Sequence, residues 1–341
     1  MKILLTANLV PFVRGGAEYH IDNLAAALRA AGHEVALLRL PFRYEPETDI
    51  GRAMDYAATL DMSRPSGVEI DRVISLQFPG WGIAHPEHHV WVMHQHRAVY
   101  DLFDAARASA ENTRFRDRVV AFDCARLGVA RRLFANSQRV AERLWQYNGL
   151  CAQQLYHPPP FAERFYCERA LPFVFMPSRL ETLKRQALLI EAAALMRSPM
   201  SIVLAGTGGQ RRALEERIET LGVGHRVCLL GEISECEKLG FYARAAAVCF
   251  PARDEDYGYV TLEAMLSSKP VLTCTDSGGP LEFVRDGENG WIVPPEPAAL
   301  AQRIDWIAGH GRQAEEMGVA GRQMLLARRI DWHQVVETLT R

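Results

Sequence analysis

Short strand-like apolar runs alternate with longer helix-like segments along this chain, in two series separated by His157-Pro158-Pro159-Pro160. Three successive prolines cannot occupy a central strand or a helix interior, because each fixes φ and lacks a backbone N–H. Residues 158–171 therefore read as a linker between two domains. The 341 residues suffice for two such domains, at roughly 150 residues each.

In the first series, Ile3–Thr6, Val35–Leu40, Arg72–Leu76, Val90–Met93 and Leu133–Ala135 read as strands. Ala17–Ala31 reads as an amphipathic helix, with Leu24 and Leu28 at helical spacing and Gly32 ending it. Asn136-Ser137 forms a natural N-cap for a helix over Arg139–Tyr147. The second series predicts strands at Phe173–Met176, Ile202–Ala205, Val227–Leu230, Ala247–Phe250 and Val271–Thr273. Helices are predicted at Arg185–Met196, Gln210–Leu221 and Val260–Leu266, with a short one near Leu281–Val284 and a terminal run from Pro297. This alternation implies α/β domains whose parallel sheets are covered on both faces. Ligands of such sheets lie beyond the carboxyl ends of the strands. Two Rossmann-like halves facing each other would create an inter-domain cleft.

Composition narrows the classes further. Apolar residues make up 48% of the chain, enough for two cores, and the net charge of −2 argues against a nucleic-acid coat. The apolar run at the start is shorter than a signal peptide requires, and no uninterrupted apolar stretch approaches about 18 residues. The seven cysteines are scattered, without a C-x-x-C pair, and most read as small core residues of a reducing cytoplasm. Only Lys2, Lys184, Lys238 and Lys269 are lysines, against 35 arginines, so each retained lysine is conspicuous.

Chemistry is expected in the loops that follow strands. Arg14-Gly15-Gly16-Ala17-Glu18 precedes the first helix. Its glycines would let backbone N–H groups approach a phosphate, although a Gly pair also makes a plain turn. Pro177-Ser178-Arg179-Leu180, followed by Lys184, offers a guanidinium fork and a point charge suited to a diphosphate; a solvated basic turn is the alternative. Ala205-Gly206-Thr207-Gly208-Gly209 suggests a tight turn before a helix, and Leu230-Gly231-Glu232-Ile233 offers backbone groups to a nucleotide base.

The most informative stretch runs from Arg253 to Glu263. Glu255 is expected in a loop and Glu263 one turn into a helix, two carboxylates suited to sugar or ribose hydroxyls. The N–H groups of Gly258, Tyr259 and Val260 can converge on a phosphate. An acidic helix cap is the plainer reading. Asp254-Glu255-Asp256 imitates a D-x-D metal motif, which is common by chance and is discounted. Val92-Met93-His94-Gln95-His96 ends a first-domain strand, with His94 reaching into the expected cleft more directly than His96.

In order and spacing, these loops resemble the family-4 retaining glycosyltransferases, which have the GT-B architecture of two Rossmann-like domains. The resemblance spans nearly the whole chain. Gly15-Gly16-Ala17-Glu18 resembles the family's N-terminal glycine loop, Arg179 and Lys184 its basic pair, and Glu255 to Glu263 its E-x7-E element with the Tyr257-Gly258 step. Ser277-Gly278-Gly279-Pro280-Leu281-Glu282, Asp286-Gly287-Glu288-Asn289-Gly290, Asn136-Ser137 and Tyr156-His157-Pro158-Pro159 also fit. Lys184-Arg185-Gln186 departs from it, since many relatives carry Gly after the Lys.

The resemblance implies an acceptor-side domain over 1–160, a nucleotide-sugar domain over 171–325, and a terminal helix over 326–341 packing back on the first domain. It assigns Glu255 to the sugar hydroxyls, Glu263 to the ribose, Arg179 and Lys184 to the leaving diphosphate, and His94 to the sugar and acceptor. Gly15, Gly16, Gly206, Ile233, Tyr257, Gly258, Tyr259 and Val260 would complete the donor contacts. The donor would be a GDP- or UDP-sugar used as substrate, with no metal or other cofactor. The acceptor would be a glycan, a lipid-linked sugar or a small molecule, in cell-surface polysaccharide synthesis. Sugar transfer builds negative charge on the departing diphosphate, and fixed cations and helix N-termini stabilise it. Domain closure would exclude water.

Other readings stay open. An epimerase or phosphorylase can use the same fold, as can a non-catalytic nucleotide-sugar binder. A dinucleotide dehydrogenase is disfavoured because neither half carries a complete G-x-G-x-x-G. Ten arginines lie between Arg97 and Arg143, including Arg114, Arg116, Arg118, Arg131 and Arg132. They read as a solvated helical face or as a peripheral contact with anionic lipid, from the inner face of the membrane.

Overall fold

A computed structural model describes residues 1–12 and 15–341. The chain divides into two compact units, Met1–Pro160 with Asp331–Arg341, and Phe161–Ile330.

In the first unit, β1 (Lys2–Leu9), β2 (Glu34–Pro41), β3 (Arg72–Ser75), β4 (His88–Val92), β5 (Arg132–Ala135) and β6 (Gln153–Gln154) form one parallel sheet in the order β2-β1-β3-β4-β5-β6. Strand β1 shows why the sheet needs cover on both sides. Ile3, Leu5 and Ala7 face one core, while the alternate residues Leu4 and Thr6 are also buried. Helix α1 (Gly16–Ala30) packs Ile21, Leu24, Ala25 and Leu28 against the first of these faces. The second core holds Ile50 and Met54 of α2 (Glu47–Thr59), Val119 of α3 (Ala110–Leu127), and Val140 and Leu144 of α4 (Gln138–Asn148). Ser137 caps α4, accepting a 3.0 Å hydrogen bond from the Val140 N–H, and Gly149 ends the helix at φ 66°.

In the second unit the strands are β7 (Phe173–Pro177), β8 (Ser201–Ala205), β9 (Val227–Leu229), β10 (Ala247–Cys249), β11 (Val271–Cys274) and β12 (Gly290–Val293). They form a second parallel sheet in the order β12-β11-β10-β7-β8-β9. The intervening helices are α5 (Gln186–Leu195), α6 (Arg211–Thr220), α7 (Glu235–Arg244) and α8 (Tyr259–Leu266), followed by α9 (Pro297–Gly309) and α10 (Gly311–Ala327). Val174 and Met176 of β7, Leu189 and Ile190 of α5, and Leu300 and Ile304 of α9 share one core. The turn expected near Leu281–Val284 is a 3₁₀ turn over Gly279–Glu282.

The segment after the prolines differs from a bare linker. The Glu168 and Leu171 N–H groups donate to the Ala243 and Arg244 carbonyls at 2.9 and 2.7 Å, so this stretch is tied to the second unit. Helix α11 (Trp332–Thr340) belongs to the first unit, where Val335, Val336 and Leu339 enter the α1 core. Arg72 and Arg132 donate to the α11 carbonyls of Leu339 and Thr338 at 2.8 and 2.9 Å, satisfying helix-end acceptors.

Candidate functional site

The candidate residues of the second unit sit where its strands end. After β7, the Leu180 N–H donates to the Thr207 carbonyl at 2.9 Å, and the Gln210 N–H returns to the Leu180 carbonyl at 3.0 Å. The loops after β7 and β8 are thus stitched together. Gly206 makes this possible: at φ 134° it lies so near the Ser178 carbonyl that an added Cβ would come within 2.0 Å of the oxygen. Arg179 emerges exposed from this arrangement, and among the described residues no carboxylate pairs with it. Its carbonyl and the Ser178 hydroxyl both accept from the buried Gln186 amide, at 2.8 and 2.9 Å.

Lys184 closes a 3₁₀ turn over Thr182–Lys184. Its ammonium donates to the Glu255 carboxylate and stands 5.5 Å from the Phe250 ring centroid. Glu255 is held by its backbone: its N–H donates to the Ser277 carbonyl at 2.9 Å, and its carbonyl accepts from Gly279 at 2.8 Å. Its side chain is left to face Lys184. Both side chains are about one-fifth exposed (18% and 20%), so the pair remains reachable by solvent. The cation expected for a diphosphate and the carboxylate expected for a sugar neutralise each other in this pair.

Arg185 follows in the left-handed region at φ 58°, where a side chain is strained. Its guanidinium forms two hydrogen bonds to Asp276, at 2.7 and 2.6 Å. Hydrogen bonding from Arg185 holds the Asp276 carboxyl below its ordinary pKa, despite partial burial. This pair anchors the Lys184 turn to the loop after β11.

Glu263 lies in α8 and is 5% exposed. The Tyr242 hydroxyl donates to one of its oxygens at 2.6 Å, and the Lys238 ammonium stands 3.3 Å from the other. Lys238 also pairs with Glu235 at 2.9 Å. Burial opposes the Lys238 charge, but Glu263 and Glu235 outweigh it and raise its pKa. Burial and the Glu263 charge together push the Tyr242 phenol well above its ordinary range. Gly258 precedes α8 at φ 82°, while Tyr257 is buried with its ring against Tyr259 and Phe283. Tyr259 and Val260 are partly buried in the first turn of α8, and Ile233 is partly buried just before Ser234 caps α7.

The remaining candidates belong to the first unit. Gly15 is the N-cap of α1 with extended backbone, and an added Cβ there would meet nothing within 4 Å. No turn strain demands its glycine. Gly16 is the first helical residue, and Arg14 lies outside the described residues. His94 follows β4, half-buried, with Nδ1 2.9 Å from the Gln95 carbonyl. Gln95 in turn donates to Asn148 at 2.5 Å, and Asn148 donates to the Tyr100 hydroxyl at 3.2 Å. Tyr100 and Trp81 both donate to the buried Asp123, at 2.7 and 2.8 Å, so the His94 loop is rooted in a polar core network.

The structure therefore joins Lys184 directly to Glu255 and packs Gly206 against the Arg179 loop. Lys238, Tyr242, Arg185 with Asp276, and Gln186 were not assigned from sequence. Lys238 carried a signal, being one of four lysines, and Tyr242 follows it by one helical turn. Among the described residues no group of His, Cys, Asp and Glu is placed to hold a metal ion, and no helix is long and apolar enough to cross a membrane.

Residues 168–324 match the family of glycosyl transferases group 1. The putative glycosyltransferase EpsD of Bacillus subtilis (strain 168) is 32% identical over 154 residues, covering 44% of this chain and 40% of that protein. Among solved structures, Anabaena Alr3699/HepE, determined in complex with UDP and glucose, superposes with a TM-score of 0.75 at 21% identity, over 100% of this chain and 99% of that one. WaaG, a glycosyltransferase involved in lipopolysaccharide biosynthesis, superposes with a TM-score of 0.77 at 14% identity, over 99% of both chains. The fold is thus the GT-B architecture of two Rossmann-like α/β units.

Proposed function

We propose that this protein, whose residues 168–324 match the family of glycosyl transferases group 1, is a retaining hexosyltransferase that uses a nucleoside-diphosphate sugar. The observation that carries this reading is the Lys184–Glu255 pair at the strand ends of the second unit. It combines a cation for a diphosphate with a carboxylate for hydroxyls, and both are solvent-reachable.

The roles follow from charge and hydrogen-bonding capacity. Arg179 and Lys184 stabilise the departing diphosphate, and Glu255, released from Lys184, turns to the sugar hydroxyls. Glu263 accepts from the ribose. Gly206, Ile233, Tyr257, Gly258, Tyr259 and Val260 contribute backbone groups and shape around the nucleotide. In the first unit, His94 and the Gly15-Gly16 turn serve the sugar and acceptor. Same-face substitution guided by the leaving diphosphate retains the anomeric configuration, and no metal is required. The acceptor is a glycan, lipid-linked sugar or small molecule, and polysaccharide synthesis is the setting. WaaG, described as a glycosyltransferase involved in lipopolysaccharide biosynthesis, is a structural neighbour in keeping with that setting.

A panel of UDP- and GDP-sugars, assayed for binding and then for transfer to glycan acceptors, tests the reading. Transfer with retained anomeric configuration supports it. Donor conversion that needs no acceptor and yields an epimer would replace it with an epimerase.

A further inference from the structure

A cavity of about 330 Å³ opens within the first unit, walled by Tyr44, Glu45, Glu47, His96, Phe103 and Phe115. It lies beyond the carboxyl ends of β2 and β4, where open α/β sheets bind ligands. Its volume falls at the low end of small-molecule sites, which suits a single sugar ring.

Three features define what it can hold. The first is aromatic: Tyr44, Phe103 and Phe115 present apolar faces. The second is acidic: among the described residues Glu45 and Glu47 have no cation within 4 Å, and Arg107, the cation in the wall, stands 3.6 Å from Asp104. Glu47 accepts a 2.9 Å hydrogen bond from Asn112, which fixes its direction and leaves acceptor capacity unused. The third is His96. Its side chain lines the cavity at only 9% residue exposure, stacked on Phe78 at 5.5 Å and edge-on to Phe115 at 6.4 Å. Among the described residues no protein group hydrogen-bonds its ring. Burial, with His94 nearby, lowers its pKa to about 4, so the imidazole is neutral and offers one donor and one acceptor.

We propose that this cavity binds an uncharged, hydroxyl-rich sugar unit of the acceptor and discriminates against phosphorylated ones. The aromatic faces cover the C–H surface of a pyranose, Glu45 and Glu47 accept from its hydroxyls, and His96 supplies the remaining polar contact. An anionic group would meet three carboxylates, Glu45, Glu47 and Asp104, against one cation, Arg107. Arg116, which stacks 5.1 Å from the Phe103 centroid, is not part of the wall. That the bound sugar is the acceptor rests on the transferase reading; that the cavity prefers neutral sugars does not.

The test is binding in the absence of any nucleotide, read from the His96 imidazole resonances of the full chain. Methyl α-glucoside, methyl α-mannoside and their 6-phosphates serve as probes. At least one neutral glycoside is expected to shift His96 saturably, with its 6-phosphate at least tenfold weaker. Glu47→Gln and Phe103→Ala are each expected to weaken the neutral probe about tenfold. Glu45→Lys, at an exposed position that leaves the core intact, is expected to narrow or reverse the preference against phosphate. Absence of a His96 shift with every probe, equal or tighter binding of the 6-phosphates, or an unchanged preference in Glu45→Lys would overturn the proposal. If these results hold while no nucleotide sugar is used, the transferase reading fails and the sugar site stands.

Discussion

Arg185 holds Asp276 through two hydrogen bonds while its own backbone sits at φ 58°, a conformation that favours glycine. The residue after Lys184 thus exchanges backbone ease for a side-chain anchor. Arg185→Gly removes the strain and the anchor together, so its stability should stay within about 1 kcal/mol of the parent. Arg185→Ala keeps the strain without the anchor and should be less stable than Arg185→Gly. Both should raise the donor KM more than they lower kcat, because Lys184 loses its tether. Urea denaturation and donor kinetics check both parts; equal donor KM in all three proteins would contradict the anchoring role.

Glu263 is nearly enclosed, and Tyr242 supplies its shortest hydrogen bond. Tyr242→Phe leaves a buried carboxylate oxygen without that donor and should cost about 1–3 kcal/mol. Lys238→Met should also destabilise, because it removes the cation beside a buried carboxylate. If Glu263 serves the ribose, both variants should weaken nucleoside binding while sparing discrimination among sugars. Calorimetry with UDP and GDP tests this, and unaltered nucleoside affinity would separate the Tyr242–Glu263 pair from the donor.

Much of the fold was legible because most strands carry an apolar run and most helices an apolar stripe; β6, the two residues Gln153–Gln154, carries none. Strand β1 and helix α1 announce themselves in this way. Helices α2 and α3 were less legible, since α3 buries only Val119, Asp123 and Leu127 along eighteen residues. Helix α7 passed unread although Ser234 and Glu237 form a capping box at its start, a signal visible in sequence. Strand β12 is four residues long and opens on a glycine, too short for periodicity to declare it. The candidate carboxylates and cations were readable by residue type. Their partners were not: Lys184 and Glu255 are 71 positions apart, and Arg185 and Asp276 are 91 apart. Only the strand order of the second sheet brings such loops together. The first-unit cavity has the same origin, being walled by two loops and the starts of α2 and α3.

Acid should destabilise the first unit. Burial lowers the pKa of His88, His89 and His96 to about 4 and of His157 to about 3. The folded state therefore binds fewer protons than the unfolded chain below an ordinary histidine pKa of about 6.5. Stability is full above that pH and falls as pH drops toward 4, by up to about 1.4 kcal/mol per pH unit for each histidine. Asp123 works in the opposite sense, because burial raises its pKa to about 7 and its ionisation disfavours the fold as pH rises. The histidines outnumber it, so urea midpoints should fall between pH 6.5 and pH 5. Asp123→Asn should steepen that fall; a rising midpoint on acidification would contradict the burial-based account.

The arginines between Arg97 and Arg143 are largely engaged within the first unit. Arg97, Arg107, Arg116, Arg118 and Arg139 each lie within 4 Å of a carboxylate. Any attraction to anionic lipid is thereby reduced, and sedimentation with phosphatidylserine vesicles should be weak at low salt and lost near 0.15 M, where screening lengths shorten to about 8 Å. Equal recovery with neutral and anionic vesicles at low salt would remove the membrane contact.

The most direct measurement is the affinity for UDP and GDP, and for their sugars, in Lys184→Ala and Glu255→Gln. Glu255→Gln relieves Lys184 of its carboxylate, so nucleoside diphosphates should bind as tightly as in the parent or tighter, while sugar transfer falls at least a hundredfold. Lys184→Ala should lose both diphosphate affinity and transfer while remaining folded. Parent-like transfer in both variants, or diphosphate binding indifferent to Lys184, would contradict the account.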